Sequence, residues 1–195
     1  MTIYDLKPQF QNLLRPLVNL FAEMGITPNQ VTVGTCLLSI AVGLYVLTAG
    51  STTAFLILPV FFFLRMAMNA IDGMLAKEHN MQSKLGAVLN EMTDVVSDGF
   101  LYYSFSALGF INQPLLHFVI FFAAISELTG LAAVLNGKPR SYAGPSGKSD
   151  RAFIFGIMGL LAGLGVNHPR GFNILLCCVA VLLLMTILNR MKKAI

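Results

Sequence analysis

Polar side chains that suit metal and phosphate chemistry are concentrated between Asn69 and Asp98, in a chain that is otherwise strongly apolar. Carboxylate and amide groups recur there at spacings of three and four residues, between two apolar runs long enough to cross a membrane. Carboxylates at membrane depth are costly and usually mark a functional site. Their oxygens are ligands for divalent cations, and such cations assist reactions of phosphate groups. The segment therefore predicts a divalent-cation site for phosphate chemistry.

The spacing places these groups on two helix faces. Steps of three and four residues return to the same side of a helix, so Asn69 and Asp72 share one face. For the same reason Asn90, Asp94 and Asp98 share a face of the next helix. Contact between the two faces would bring carboxylates together, and like charges in a low dielectric need a cation to stay ionised. We therefore predict bound Mg²⁺ or Mn²⁺; a polar network that only packs the helices is the alternative.

The composition limits the class of protein that carries this segment. Of 195 residues, 56% are hydrophobic and 11% are charged, whereas soluble domains have about 25% charged residues. We therefore predict an all-α integral membrane protein with a single domain over residues 1–195. The net charge of +4 is explained by basic flanks of the spans, so no nucleic-acid partner is expected.

Apolar runs predict six transmembrane helices after an amphipathic segment. Residues 3–24 carry apolar side chains near the helical period, and we expect them to lie on the membrane surface. Pro8 and Pro16 interrupt this segment, which predicts short helical pieces. A span needs about 20 apolar residues. The predicted spans are 30–49, 52–76, 86–110, 114–136, 152–167 and 172–191.

The distribution of positive charge supports this topology. With six spans, both termini lie on one side, and 11 of the 13 Lys and Arg residues fall on that side. Arg65 lies within a span, and only Arg170 falls on the opposite side. Because basic residues accumulate in cytoplasmic loops, we predict a multi-pass protein of the inner membrane with both termini in the cytoplasm. The basic residues of the cytoplasmic side are Lys7, Arg15, Lys77, Lys84, Lys138, Arg140, Lys148, Arg151, Arg190, Lys192 and Lys193.

The polar segment resembles the signature of the CDP-alcohol phosphotransferase family, class I. That signature reads D-x-x-D-G-x-x-A-R, eight residues, and G-x-x-x-D-x-x-x-D. Every spacing matches, with Asn69, Lys77 and Asn90 standing where the family has Asp, Arg and Asp. The six-span plan, the interfacial helix and the segment 27–32 before the first span are also similar to the family. The matching positions are Asn69, Asp72, Gly73, Ala76, Lys77, Gly86, Asn90 and Asp94.

The resemblance implies a reaction and a set of roles. An acceptor alcohol attacks the phosphorus of a CDP-linked donor, in most relatives CDP-diacylglycerol, and CMP leaves. Asn69, Asp72, Asn90 and Asp94 stand at the four positions that hold a pair of divalent cations, and Asp94 is the expected general base. A homodimer is also implied. The residues implied to bind the nucleotide are Asp72, Gly73, Ala76, Lys77 and Gly86.

The departures from the signature leave two registers to compare. Asn69 and Asn90 keep an oxygen but lose a charge, and Lys77 loses the two-pronged contact of arginine with phosphate. A register shifted by one turn would use Asp94 and Asp98 as the last pair, about 6 Å further along the helix. We prefer the unshifted register because all its spacings hold, and we predict that Asp98 supports a metal or the substrate from beside it.

Three residues outside the signature are predicted to contact the acceptor. Glu127 lies inside the fourth span and needs a partner, either the substrate or an arginine; a hydrogen bond between helices is the alternative. Lys148 and Arg151 are predicted to hold a phosphate of the acceptor, unless they serve only as topology charges. Arg65 is expected to pair with Glu91 or Asp98.

Two other classes of function stay open beside the phosphotransferase. The amides at Asn69 and Asn90 suit a degenerate relative that binds nucleotide or lipid without catalysis. A small membrane transporter with a carboxylate relay is a weaker alternative, because no inverted repeat is evident. The leading hypothesis is an enzyme of phospholipid biosynthesis, and the sequence leaves its acceptor alcohol open.

Overall fold

The computed structural model describes the backbone of residues 3–195 and the side chains of residues 8–195. This part of the chain forms seven α-helices and two short 3₁₀ helices and contains no strand, which confirms the all-α class. The 3₁₀ helices are Thr52–Leu56 and Ser104–Ala107. The α-helices are α1 (Ile3–Glu23), α2 (Pro28–Thr48), α3 (Ile57–Glu78), α4 (Lys84–Tyr103), α5 (Gln113–Leu135), α6 (Lys148–Gly163) and α7 (Pro169–Ala194).

Four helical segments are long and apolar enough to cross a membrane: α2, α3 with the 3₁₀ turn before it, α5 and α7. The other two predicted spans differ from these. Helix α4 carries the charged residues of the signature, and α6 has only 16 residues. The four apolar helices therefore support the membrane class, and the count of six transmembrane helices stays a prediction.

Helix α1 is continuous from Ile3 to Glu23, so the prediction of short pieces was wrong. Pro8 and Pro16 remain within it because a proline removes only one backbone donor, and packing elsewhere holds the helix together. Val18 is fully buried against α2 and α3, in a cluster with Ile71 and Leu75. Arg15 also pairs with Glu78 at 3.1 Å, which ties α1 to the end of α3. The location of α1 at the membrane surface stays a prediction.

The main apolar core lies between α3, α4, α5, α6 and α7. The ring of Tyr102 stacks on Phe155 with centroids 4.0 Å apart, and Phe105 meets the same phenylalanine edge to face. Three arginines, Arg65, Arg151 and Arg190, are as buried as this core. Their burial shows that one end of the bundle has a polar interior.

Candidate active site

Asp72 faces the interior from α3. It is only 3% exposed, and its Oδ2 accepts a hydrogen bond from the Thr32 hydroxyl of α2 at 2.7 Å. Its Oδ1 is buried and has no hydrogen-bond partner among the described residues. A buried carboxylate oxygen without a donor is costly unless a ligand satisfies it, so this atom is suited to a cation or a substrate donor.

Asp94 lies at the junction of α3, α4 and α6. Its Oδ1 accepts from the Asn69 amide at 3.1 Å and from Arg65 Nη2 at 3.3 Å. Its Oδ2 forms an ion pair with the Lys148 ammonium of α6. Every contact to this carboxylate is therefore a hydrogen-bond donor, and two of them are cationic.

A cavity of about 300 Å³, here called the Asp72 cavity, lies between α2, α3 and α4. All five residues implied to bind the nucleotide line it, and so does Asn90. A Cβ atom at Gly86 would lie 2.7 Å from Asn29 Oδ1, so a larger residue at this position would displace the end of the Asn29 side chain. The lining residues are Thr32, Asp72, Gly73, Ala76, Lys77, Met81, Gln82, Ser83, Gly86, Ala87 and Asn90.

A second cavity of about 480 Å³, here called the Lys148 cavity, adjoins the Asp72 cavity at Asn90. Asn69, Asp94, Glu127 and Lys148 line it, so it joins the signature to two of the three residues predicted to contact the acceptor. The signature positions therefore line two neighbouring cavities, and Asn90 belongs to both.

Asp98 is directed away from both cavities. Its Oδ1 accepts from Arg65 Nη1 at 2.6 Å and its Oδ2 from Arg151 Nη2 at 3.0 Å. The prediction that Arg65 pairs with Asp98 is confirmed. The same contacts argue against Asp98 as a metal ligand and against the shifted register, because both oxygens already meet a guanidinium.

Glu127 is held by three arginines. Its Oε1 accepts from Arg151 at 2.9 Å, and its Oε2 accepts from Arg140 at 2.8 Å and lies 3.3 Å from Arg190 Nη1. Arg151 itself has no exposed surface and lines neither cavity. It contacts Glu127 and Asp98 inside the bundle, and its contact with the acceptor stays a prediction.

Two arginines of this site were missed as site residues. Arg140 and Arg190 line the Lys148 cavity, although sequence reasoning counted them only as topology charges. Arg140 also pairs with Glu91 of α4. A signal was present for Arg190, because it continues the buried stripe of α7 at helical spacing. That stripe consists of Leu176, Val179, Ala180, Leu183, Thr186, Ile187 and Arg190.

The loop that carries Arg140 is anchored on α7 at Gly144. This glycine has φ +121°, and an added Cβ would lie 2.6 Å from Thr186 Cα. The backbone N–H of Ser146 donates to the Thr186 hydroxyl at 2.9 Å. The close approach of Gly144 to Thr186 sets the position of the segment between Arg140 and Lys148, and therefore the positions of these two basic side chains.

Substitution Gly144→Ala is expected to lower the free energy of unfolding by about 1–3 kcal/mol from backbone strain alone, with the clash against Thr186 added. Thermal unfolding in detergent measures the loss. Gly34→Ala is the matched control, because its Cβ would meet open space. Equal midpoints for the two variants would contradict this account of the loop.

The pair of divalent cations implied by the resemblance does not fit these residues. Two of the four positions are amides, and the oxygens of Asp94 are surrounded by donors. In the part of the chain that the structure describes, no group of three or more His, Cys, Asp or Glu side chains is arranged to hold a metal. Among the described residues, Asp72 Oδ1 is a buried carboxylate oxygen without a hydrogen-bond donor, and it is suited to contact a cation.

Comparison with known proteins identifies the family. A model of the CDP-alcohol phosphatidyltransferase family matches residues 25–189. The chain belongs to this family. Its membership indicates phosphatidyltransferase chemistry with a CDP-linked alcohol in phospholipid synthesis, with the specific substrates left open.

Named relatives of this phosphatidyltransferase family agree with that assignment. The chain is 43% identical over 195 residues to the inner membrane protein YnbA of Escherichia coli, covering 100% of this chain and 97% of YnbA. It is 23% identical over 189 residues to archaetidylinositol phosphate synthase of Pyrococcus horikoshii, covering 97% and 94% of the two chains. The apolar helices together with the name of the first relative indicate a membrane protein.

Solved structures share the fold. Phosphatidylinositol phosphate synthase (PgsA1) of Mycobacterium tuberculosis with CDP-DAG bound has a TM-score of 0.76 at 21% identity, covering 92% of each chain. The same enzyme with manganese and citrate also has a TM-score of 0.76 at 21% identity, covering 92% of this chain and 87% of that chain. The neighbour therefore supports the arrangement of helices and shows manganese in a protein of this fold.

Proposed function

We propose that this protein transfers a phosphatidyl group from CDP-diacylglycerol to an acceptor alcohol and releases CMP, at the cytoplasmic face of the inner membrane. The observation that carries the proposal is that Asn69, Asp72, Asn90 and Asp94 line two neighbouring cavities, which meet at Asn90. One cavity collects the nucleotide residues of the signature, and the other collects basic residues. A transferase needs such adjacent sites for donor and acceptor, with the reacting groups between them.

The Asp72 cavity is suited to the cytidine diphosphate part of the donor. Gly73, Ala76 and Gly86 leave its surface free of bulky side chains, and Lys77 supplies a positive charge for phosphate. The bound CDP-DAG in PgsA1 supports the same class of donor.

An apolar groove supports a lipid donor over a water-soluble one. A cavity of about 260 Å³ lies between α3 and α6, and its lining is almost entirely apolar. Met66 and Ala152 line both this groove and the Lys148 cavity, so the two are adjacent. An acyl chain lying in the groove would keep its head group next to Asp94. The groove is lined by Pro59, Phe62, Phe63, Met66, Ala152, Phe153, Gly156, Ile157 and Leu160.

The Lys148 cavity is suited to an anionic acceptor. Four cations line it, Arg65, Arg140, Lys148 and Arg190, against the carboxylates of Asp94, Glu127 and Asp150. Glu91 and Asp98 also pair with Arg140 and Arg65, so carboxylates match these cations in the free protein. The cavity nevertheless presents the guanidinium groups of Arg65, Arg140 and Arg190, and guanidinium groups bind phosphate by paired hydrogen bonds. We therefore propose a phosphorylated polyol as acceptor, oriented by Lys148 and by the arginines that Glu127 holds in place.

The reaction places Asp94 as the general base. Its carboxylate takes the proton of the acceptor hydroxyl as the oxygen attacks the donor phosphorus. A new oxygen–phosphorus bond forms, the bond to the CMP oxygen breaks, and CMP leaves toward the Asp72 cavity. Lys148 and Arg65 provide positive charge beside the transferred phosphoryl group, which stabilises the transition state.

The proposal is tested with purified protein in nanodiscs that contain CDP-diacylglycerol. Glycerol 3-phosphate, inositol phosphate, serine and unphosphorylated inositol are offered as acceptors, and CMP is measured. We expect release with a phosphorylated acceptor and little with serine or inositol. Absence of CMP with every acceptor would contradict the enzyme assignment.

The amides at Asn69 and Asn90 favour one second candidate, a relative that binds the nucleotide without turnover. Restoring both positions to aspartate separates the two. If only the restored variant releases CMP while the natural chain binds CDP-diacylglycerol, the natural chain is a binding protein. The resemblance also implies a homodimer, which light scattering would test. The charge distribution predicts cytoplasmic termini, which cysteine accessibility in inverted vesicles would test.

A further inference from the structure

The charge of the signature positions differs from what two divalent cations require. Four aspartates and two divalent cations sum to zero, whereas Asp72 and Asp94 supply only two negative charges. Two cations among two aspartates and two asparagines would leave a net charge of two at a partly buried site. Uncompensated charge in such a place is strongly unfavourable.

A protein cation already stands against Asp94. The Lys148 ammonium contacts Asp94 Oδ2, and Lys148 begins α6 directly after Gly147, whose N–H is capped by Asp150 at 2.9 Å. The start of the helix thus holds the lysine beside the signature. On the other oxygen, Arg65 Nη2 lies at 3.3 Å. A divalent cation at Asp94 would have to displace the ammonium and lie near a guanidinium.

The Asp72 side has the opposite character. Oδ1 of Asp72 is buried and has no donor in the described part of the chain, and the Asn90 side chain lines the same cavity. Lys77, the nearest basic residue of that cavity, comes five positions later on α3. A cation there would satisfy an oxygen that the protein leaves free.

We propose that the Lys148 ammonium takes the place of one divalent cation, and that each chain binds a single divalent cation in the Asp72 cavity. Asn69 and Asn90 belong to the same substitution, because the loss of two negative charges matches the loss of one divalent cation. Lys148 then supplies one positive charge beside Asp94. The role of Lys148 then includes charge at the reacting phosphate as well as contact with the acceptor. This inference concerns the site of the proposed function, but it is tested by metal binding without substrate, so either can fail alone.

The experiment is a Mn²⁺ titration of the purified protein in detergent, with free Mn²⁺ followed by electron paramagnetic resonance. The natural chain is expected to bind one Mn²⁺ per chain. The variant with Asn69→Asp, Asn90→Asp and Lys148→Met is expected to bind two. The matched control carries the same two aspartates with Lys84→Met in place of Lys148→Met, because Lys84 is an exposed lysine at the start of α4, and it should bind fewer than two at the same concentration.

Two Mn²⁺ per natural chain would overturn the proposal, and so would a natural chain that binds none. Equal Mn²⁺ binding by the triple variant and its Lys84 control would contradict the claim that the Lys148 ammonium takes the place of a divalent cation. Circular dichroism and gel filtration confirm that the variants are folded, and the stoichiometry of the natural chain tests the central claim even if a variant fails to fold.

Discussion

Substitution Asp94→Asn is expected to reduce CMP release by about 10²–10⁴-fold, the range that a general base contributes. The amide has nearly the shape of the carboxylate and keeps an oxygen for Arg65, but it has no basic oxygen for the acceptor proton. It also removes the partner of Lys148. The loss should therefore appear in kcat more than in the binding of CDP-diacylglycerol.

The rate of CMP release in nanodiscs checks this result, with binding of the donor measured separately on the same protein. Glu23→Gln is the control, because it removes the same charge from an exposed residue at the end of α1. Undiminished turnover of the Asp94 variant would refute the assignment of the base. Loss of donor binding together with turnover would instead indicate that Asp94 only shapes the site.

Substitution Arg151→Met is expected to cost about 3–5 kcal/mol of folding free energy, as is usual when one partner of a buried ion pair is removed. Arg151 is fully buried and contacts Asp98 at 3.0 Å and Glu127 at 2.9 Å. Its loss leaves both carboxylates with less positive charge in the interior. Glu127 in turn contacts Arg140 and Arg190, so the Lys148 cavity should lose its shape as well.

Thermal unfolding in detergent measures this cost. Arg15→Met is the matched control, because Arg15 also pairs with a glutamate but its side chain is 44% exposed. Solvent screens such surface pairs, so the control should change the midpoint little. A similar midpoint for the two arginine variants would show that the buried network contributes little to stability.

The signature residues illustrate how much was predictable from the sequence. A spacing of four residues puts Asp72 and Ala76 on a common side of α3 because helix periodicity is a local property. The same periodicity, with the resemblance, predicted that Asn90 of α4 would face them, and all three line one cavity. The cost of charge inside a span predicted a carboxylate partner for Arg65, either Glu91 or Asp98, and the structure shows Asp98.

Spacing along the sequence predicted less where a carboxylate could contact either a metal ion or an arginine. Asp98 stands one turn after Asp94, so its spacing alone suited a metal, and only the two arginines in contact with it show otherwise. Pro8 and Pro16 predicted breaks in α1 that packing against α3 overrides.

The amino-acid sequence by itself determined the family, the apolar helices and the faces that carry the signature, because these depend on composition and on spacing within one helix. Only the tertiary structure decided which cations meet which carboxylates. Lys148 of α6 and Arg190 of α7 are far along the chain from their partners Asp94 and Glu127, and Arg140 comes from the loop before α6. Contacts of this kind depend on how the helices pack, and no periodicity within a segment encodes them.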